Sequence, residues 1–240
     1  MPLFILYLDD YHQADTLFLR GLAGQVREGG VPTMIVHGGG EAAERHLEAN
    51  GYFPERGADG QWQDLSTAEH ALVEQATRMA NRTLTALFND HVVSVVGVQG
   101  TDRKLLQHGS DGSLALGRTR WLLDWAEKRV VPIVSALALA PDGRTALPSV
   151  AQVVAAFVNQ FAAADPTVVM FSKKNRKGLE RDGQLVDEWA MDTLPPRDHV
   201  QAPKVAQWLV QQGASVLVTS PTGLYRTPTA IGTRLVAGRV

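Results

Sequence analysis

Cysteine is absent from all 240 residues, which excludes disulfides and thiolate metal sites and fits a cytoplasmic protein. Long apolar runs are missing too. None reaches the roughly 18 residues that cross a bilayer, and the apolar start MPLFILYLDDYH lacks a basic flank and a small-residue cleavage site, so it is expected to be a buried first strand. Neither sign of charge dominates: 23 Lys and Arg against 25 Asp and Glu leave −2. The charges are spread along the chain, with no basic stripe for nucleic acid and no basic amphipathic helix for a membrane. The histidines have no metal-ligand spacing, so no structural metal is expected. G-x-G-x-x-G after a strand, G-x-x-x-x-G-K-[ST] and G-x-S-x-G are all absent, so any nucleotide is held without the usual dinucleotide or P-loop turn.

What is present is an ordinary globular composition, 45% hydrophobic, enough to bury a full core as one large or two small domains. The chain is organised around TMIVHGGGEAAERHL, Thr33 to Leu47, which spells strand, tight turn and helix. Three consecutive glycines are entropically costly, and they imply either positive φ or a ligand lying on bare backbone. Free N–H groups at a helix start suit a phosphate or carboxylate. A sharp turn without a ligand is the other reading. His37-Gly38-Gly39-Gly40 also has the form of an esterase oxyanion loop, but the nucleophile elbow that chemistry needs is not there.

The pattern then runs in order: a strand over Leu3 to Leu8, a helix over Asp15 to Arg27, a strand over Val31 to Val36 and a short helix over Glu41 to Asn50. A polar excursion covers Tyr52 to Leu65. Ser66-Thr67-Ala68-Glu69 spells a capping box that opens a long amphipathic helix. HVVSVVGV, His91 to Val98, predicts a central strand buried on both faces. Further helices are expected near Trp121 to Lys128, from Ser149 to about Ala164, and from Pro203 to Gln212. Strands are expected within VVPIVSALAL, at Thr167 to Ser172, Ser215 to Thr219 and Thr229 to Val236, with a hairpin at Asp182-Gly183. Alternation of strand and helix predicts an α/β fold, a mostly parallel sheet with helices on both faces. The glycine turn, the Gly100 loop, Ser172 with its basic loop, and the Thr219 loop all follow strands and are expected to converge on one cleft.

VHGGG at Val36 to Gly40, the capped helix to about Asn81, GVQGTDRKLL from Gly97, VVPIVSAL from Val130, FSKKNRKGL from Phe171, APK at Ala202 to Lys204 and IGT at Ile231 to Thr233 together resemble the amino-acid kinase family, most of all its N-acetylglutamate kinases. The resemblance covers nearly the whole chain. It implies an αβα three-layer sandwich that uses ATP with Mg2+ to phosphorylate the carboxylate of an N-acyl amino acid, and a homodimer. It implies a single domain over 1–240, with an acceptor-binding lobe over about 1–145 and a nucleotide-binding lobe over 146–240. Carried onto this sequence, Lys204 would be catalytic, and His37, Gly38, Gly39, Gly40 and Asn81 would hold the acceptor. Ser172, Lys173, Lys174 and Lys177 would lie at the nucleotide.

The departures are as informative. Where the family's first strand ends in a phosphate-holding lysine and two glycines, this chain has Tyr7, Asp9 and Asp10. An arginine expected near Trp62-Gln63 to clamp the acceptor carboxylate is missing. Ala151 stands where an organising aspartate is expected, and Lys173 where an aspartate is common. Two readings therefore stand: a divergent acyl-phosphate kinase, and a pseudokinase that keeps the fold as a ligand-binding regulatory or structural partner.

Overall fold

The computed structural model describes residues 2–57, 61–225 and 230–238. Its centre is an eight-stranded sheet: β1 Leu3–Leu8, β2 Thr33–His37, β3 Val95–Gln99, β4 Val131–Ser135, β5 Pro166–Phe171, β6 Glu188–Ala190, β7 Ser215–Thr219 and β8 Thr233–Val236, in the order β6-β8-β7-β5-β1-β2-β4-β3. Every pairing is parallel except β7 with β8. Four strands from residues 3–135 form one half of the sheet and four from 166–236 the other, joined where β5 lies beside β1.

β1 shows why the sheet needs helices on both faces. All six of its residues are buried, and side chains alternate across a strand. Leu3, Ile5 and Tyr7 enter a core with α5 (Arg120–Glu127), α6 (Val150–Gln160) and α7 (Pro203–Gln211), through Leu122, Phe157 and Leu209. Phe4, Leu6 and Leu8 enter a second core with α2 (Thr16–Glu28) and α4 (Thr67–Asp90), through Leu22 and Phe88. The result is the expected three-layer α/β sandwich.

Helix starts follow local chemistry. Asp15 accepts from the N–H groups of Leu17 and Phe18 at the head of α2. Ser66 and Glu69 form both halves of the capping box on α4, and Ser149 with Gln152 does the same for α6. The Asp182-Gly183 hairpin forms with both residues at positive φ, 53° and 76°, as a two-residue turn requires. Pro203 is the first residue of α7, which ends before Gly213 at φ 82°.

Three expectations need correction. A short helix, α1 (Asp10–Ala14), intervenes before α2. The HVVSVVGV run is not a central strand. Val92 turns at φ 60° and is 77% exposed, and only Val95–Gln99 pairs, as the outermost strand β3. A β-branched run reports a pleated, half-buried surface and carries no information on whether both edges are paired. The helix from Ser149 ends at Gln160 and gives way to a 3-10 turn over Ala162–Ala164. Of the last expected strand, Thr233–Val236 forms, while Thr229 lies outside the described residues.

Candidate functional site

The glycine turn sits between β2 and α3 (Gly40–Ala49), and packing supplies much of its reason. A Cβ on Gly39 would come 2.7 Å from the Ala43 Cβ and 3.0 Å from Thr77 Oγ1. One on Gly40, whose φ is 62°, would meet Gln13 Nε2 at 2.5 Å. The glycines let α3 start pressed against α1 and α4.

Gly38 and Gly39 line a cavity of about 190 Å³ over the carboxyl ends of β1 and β2. Three helices begin at its wall: α3 at Gly38 and Gly39, α6 at Ser149 and Val150, and α7 at Gln201, Ala202 and Val205. The first N–H groups of a helix have no intrahelical acceptor and carry the positive end of its dipole. Ser149 caps α6, but the N-cap positions of α3 and α7 are Gly39 and Ala202, neither of which makes a side-chain cap. Leaving Ala at an N-cap forgoes about 0.5–2 kcal/mol relative to Ser or Asp. Two uncapped helix starts on one cavity suit an anion.

The opposite wall is acidic. Asp9 places both carboxylate oxygens on His12 Nδ1, at 3.0 and 2.8 Å, and His12 Nε2 faces the Ser172 carbonyl at 3.3 Å; both side chains are buried. Asp10 pairs with Arg56 at 3.0 Å, and the same nitrogen of Arg56 reaches Glu44 at 3.2 Å. Burial holds the Asp10 carboxyl above the usual range; Arg56 opposes this, and Glu44, Asp9 and Glu41 reinforce it. The Arg56 guanidinium lies 3.8 Å over the Trp62 ring, and the two residues pair in an isolated antiparallel bridge across the excursion. The arginine that the resemblance places beside Trp62 along the chain is absent there, and Arg56 instead reaches Trp62 across this bridge. The signal for it in the sequence is an Arg and a Trp on either side of a short glycine-containing stretch.

His37 and Asn81 do not line the cavity. Both are buried and bonded to each other: Asn81 Nδ2 donates to His37 Nε2 at 3.0 Å and to the Ile133 carbonyl at 2.8 Å. His37 Nδ1 donates to the Gly38 carbonyl at 2.8 Å, and burial pulls the imidazole down to about 4, so it is neutral. This pair braces the turn from behind the cavity. Ser172 is also committed internally. Its hydroxyl donates to the Arg176 carbonyl and its N–H to the Thr219 carbonyl at 2.8 Å, so both of its protons are committed to shaping the basic loop.

The expected convergence of four loops is divided. Lys174 and Asn175 of the basic loop, with Pro221 and Thr222 after β7, line a separate cavity of about 360 Å³ with Tyr11 and His12. Lys173 Nζ stands 5.3 Å over the Tyr11 ring, while Lys174 and Lys177 are exposed. The Gly100 loop lines neither cavity; Gly100 is packed against the Ser135 and Leu137 carbonyls. Lys204 is exposed in the first turn of α7, between the cavity-lining residues Ala202 and Val205. Asp9 borders the first cavity and His12 the second, so their pair is the partition.

Comparison with known proteins agrees with this architecture. Acetylglutamate kinase from Geobacillus kaustophilus is 28% identical over 178 residues, 70% of this chain and 67% of that protein. Acetylglutamate kinase from Prochlorococcus marinus is 30% identical over 125 residues, 48% of this chain, and the match spans two fifths (40%) of that relative. Among solved structures, N-acetylglutamate synthase from Neisseria gonorrhoeae, complexed with coenzyme A and N-acetyl-glutamate, superposes on 99% of this chain and 60% of that one, with a TM-score of 0.73 and 15% identity. Uridylate kinase from Archaeoglobus fulgidus covers 98% of this chain and 100% of that one at a TM-score of 0.54 and 14% identity. Those two likenesses show a shared fold. The profile of the amino acid kinase family matches residues 12–168, so the chain belongs to the amino acid kinase family.

Proposed function

We propose that the protein transfers the γ-phosphoryl group of magnesium-bound ATP to the side-chain carboxylate of an amino-acid acceptor. A carboxylate oxygen attacks the γ-phosphorus, the bond to the bridging oxygen breaks, and ADP leaves with that electron pair as an acyl-phosphate forms. The observation that carries this reading is the meeting of two uncapped helix starts, α3 and α7, on one cavity. Phosphoryl transfer is mostly positioning and charge stabilisation, which such N–H groups provide. In this reading the N–H groups of Gly38 to Gly40 hold the acceptor carboxylate and the phosphoryl group. Lys204 moves from its exposed position to the charge that develops between the β- and γ-phosphates. Lys173, Lys174 and Lys177 take the nucleotide, with residues 1–145 serving the acceptor and 146–240 the nucleotide. His37 and Asn81 act by holding the turn, and Ser172 by shaping the basic loop. The relatives named acetylglutamate kinase support an N-acylated acceptor and a place in amino-acid biosynthesis of the arginine type. A homodimer, which the family implies, belongs to the same proposal.

One observation favours a second reading, a ligand-binding pseudokinase. Asp9 and Asp10 line the cavity at the end of β1, where a transferring phosphate would meet carboxylates. Hydroxylamine trapping separates the two. Purified protein with MgATP and either N-acetylglutamate or glutamate is expected to yield hydroxamate, and Lys204→Ala is expected to lower the rate by about 10²-fold or more, the scale of one lost electrostatic contact. No hydroxamate from either acceptor, together with no rise in Tm on adding MgATP, would establish the pseudokinase.

A further inference from the structure

We propose that His199 is a positioning residue: its imidazole holds Arg176, and through Arg176 the basic loop that presents Lys174 and Asn175 to the nucleotide. The proposal rests on the phosphoryl-transfer reading and adds the residue that sets the nucleotide side of the site. The basic loop is costly in itself. Lys174 and Asn175 both stand at positive φ, 57° and 53°, and neither is glycine. Residues with a Cβ are disfavoured in this left-handed region, and two in succession persist only where their surroundings hold them. The same two residues line the cavity of about 360 Å³ beside Tyr11 and His12.

What holds the loop converges on one short segment. The His199 carbonyl accepts the Lys173 N–H at 2.8 Å, and Val200 pairs with Ser172 in an isolated antiparallel bridge. The segment is itself tied down, since the N–H groups of His199 and Val200 both donate to the Pro196 carbonyl, at 2.9 and 3.1 Å. Side chains hold the far end of the turn: Arg176 Nη1 donates to His199 Nε2, and the same nitrogen reaches Glu180 at 3.3 Å. Arginine is a permanent cation with donors only, so the contact needs the lone pair of Nε2 and leaves the ring proton on Nδ1. The Asp198 carboxylate, 3.7 Å from Nε2, is beyond hydrogen-bond reach. Nδ1 is buried and has no partner among the described residues, so Arg176 is the one hydrogen-bond partner of this buried ring there. A ring that leaves one buried donor unmet serves stability poorly. What it does serve is the direction of the loop. Two residues further on, Gln201 and Ala202 line the first cavity, and Lys204 follows in α7. His199 therefore ties the basic loop to the start of α7 and sets Lys174 relative to Lys204 across the partition between the two cavities.

Three variants of the full chain test this: His199→Gln, which offers a side-chain oxygen to Arg176, His199→Leu, which offers none, and Arg176→Met, which removes the guanidinium. Each is measured for the rate of tryptic cleavage after Lys174 under native conditions and for MgATP binding by calorimetric titration. His199→Leu and Arg176→Met are each expected to speed cleavage and weaken MgATP binding by about tenfold, and the two combined to be no worse than either alone. His199→Gln is expected to stay within about threefold of the parent in both, because the acceptor is restored. A folded His199→Leu that matches the parent in both measurements overturns the proposal, as does a His199→Gln no better than His199→Leu, or additive losses in the combined variant. If His199→Leu does not fold, Arg176→Met at the parent's rate and affinity overturns it. Faster cleavage in the variants of a parent that binds no MgATP would keep His199 as the holder of the loop and remove the nucleotide reading. MgATP binding unchanged in His199→Leu, with hydroxamate still formed, would do the reverse.

Discussion

His37 is buried and Asp10 half-buried, and desolvation gives them opposite pH signatures. His37 is held at about 4 against an ordinary 6.5, so as the pH falls the unfolded chain takes up its proton first. Stability present above 6.5 is lost between 6.5 and 4, by roughly 3 kcal/mol at about 1.4 kcal/mol per unit. Urea midpoints at pH 7 and pH 4.5 are expected to show most of this loss, and His37→Asn to flatten it. Asp10 is raised above its ordinary 3.8, so its desolvation costs nothing below that value, and the cost builds as the pH rises from there to its folded-state value and is complete above it. Asp10→Asn is expected to raise Tm at pH 7.5, with the gain disappearing near pH 3.5; an equal change at both values would show that Asp10 acts through packing alone. Neither behaviour was legible in the sequence. The glycine turn was, because three consecutive glycines between a strand and a helix stand together in the chain, but the partner of His37 is 44 residues away and Arg56 reaches Asp10 from across a loop bridge.

At the scale of single elements, caps were the most legible feature, since a Ser followed three residues later by Glu or Gln spells its own hydrogen bonds. The capping boxes at Ser66 and Ser149 form as that chemistry dictates. The missing caps are more informative. Ala202→Ser on α7 is expected to stabilise the fold by about 1 kcal/mol. It is also expected to weaken MgATP binding, because the new hydroxyl accepts the N–H groups left for the ligand. Thermal melts and nucleotide titration of one variant check both; a gain in stability with unchanged nucleotide affinity would remove α7 from the site. β3 was misjudged for a reason that also sits at this scale. Composition reports how well side chains suit a pleated surface, whereas its place at the margin depends on which strand reaches β4 first.

Across the whole molecule, the order of strands and helices predicted the sandwich because parallel strands need crossovers and those crossovers must cover the sheet. What it did not predict was the division of the polar sites into two cavities, which is set by one buried Asp9–His12 pair at the centre of the sheet's carboxyl edge. The core beneath is continuous across both halves: Phe157 of α6 shares one cluster with Val36 of β2 and Val218 of β7, and its ring stacks on Phe161. Phe157→Ala is expected to cost about 3–5 kcal/mol. The unfolding transition should remain single by both fluorescence and circular dichroism, whereas two separated transitions would show that the halves fold as independent units.

The seam between those halves has a consequence for synthesis. β1 ends at Leu8, yet one of its two neighbours begins at Pro166. While the chain emerges from the ribosome, the flank of β1 destined for β5 stays unpaired until Pro166 and the residues after it have been translated. Nascent chains stalled before that point would present an apolar strand edge, and they are the forms of this protein that most need a chaperone.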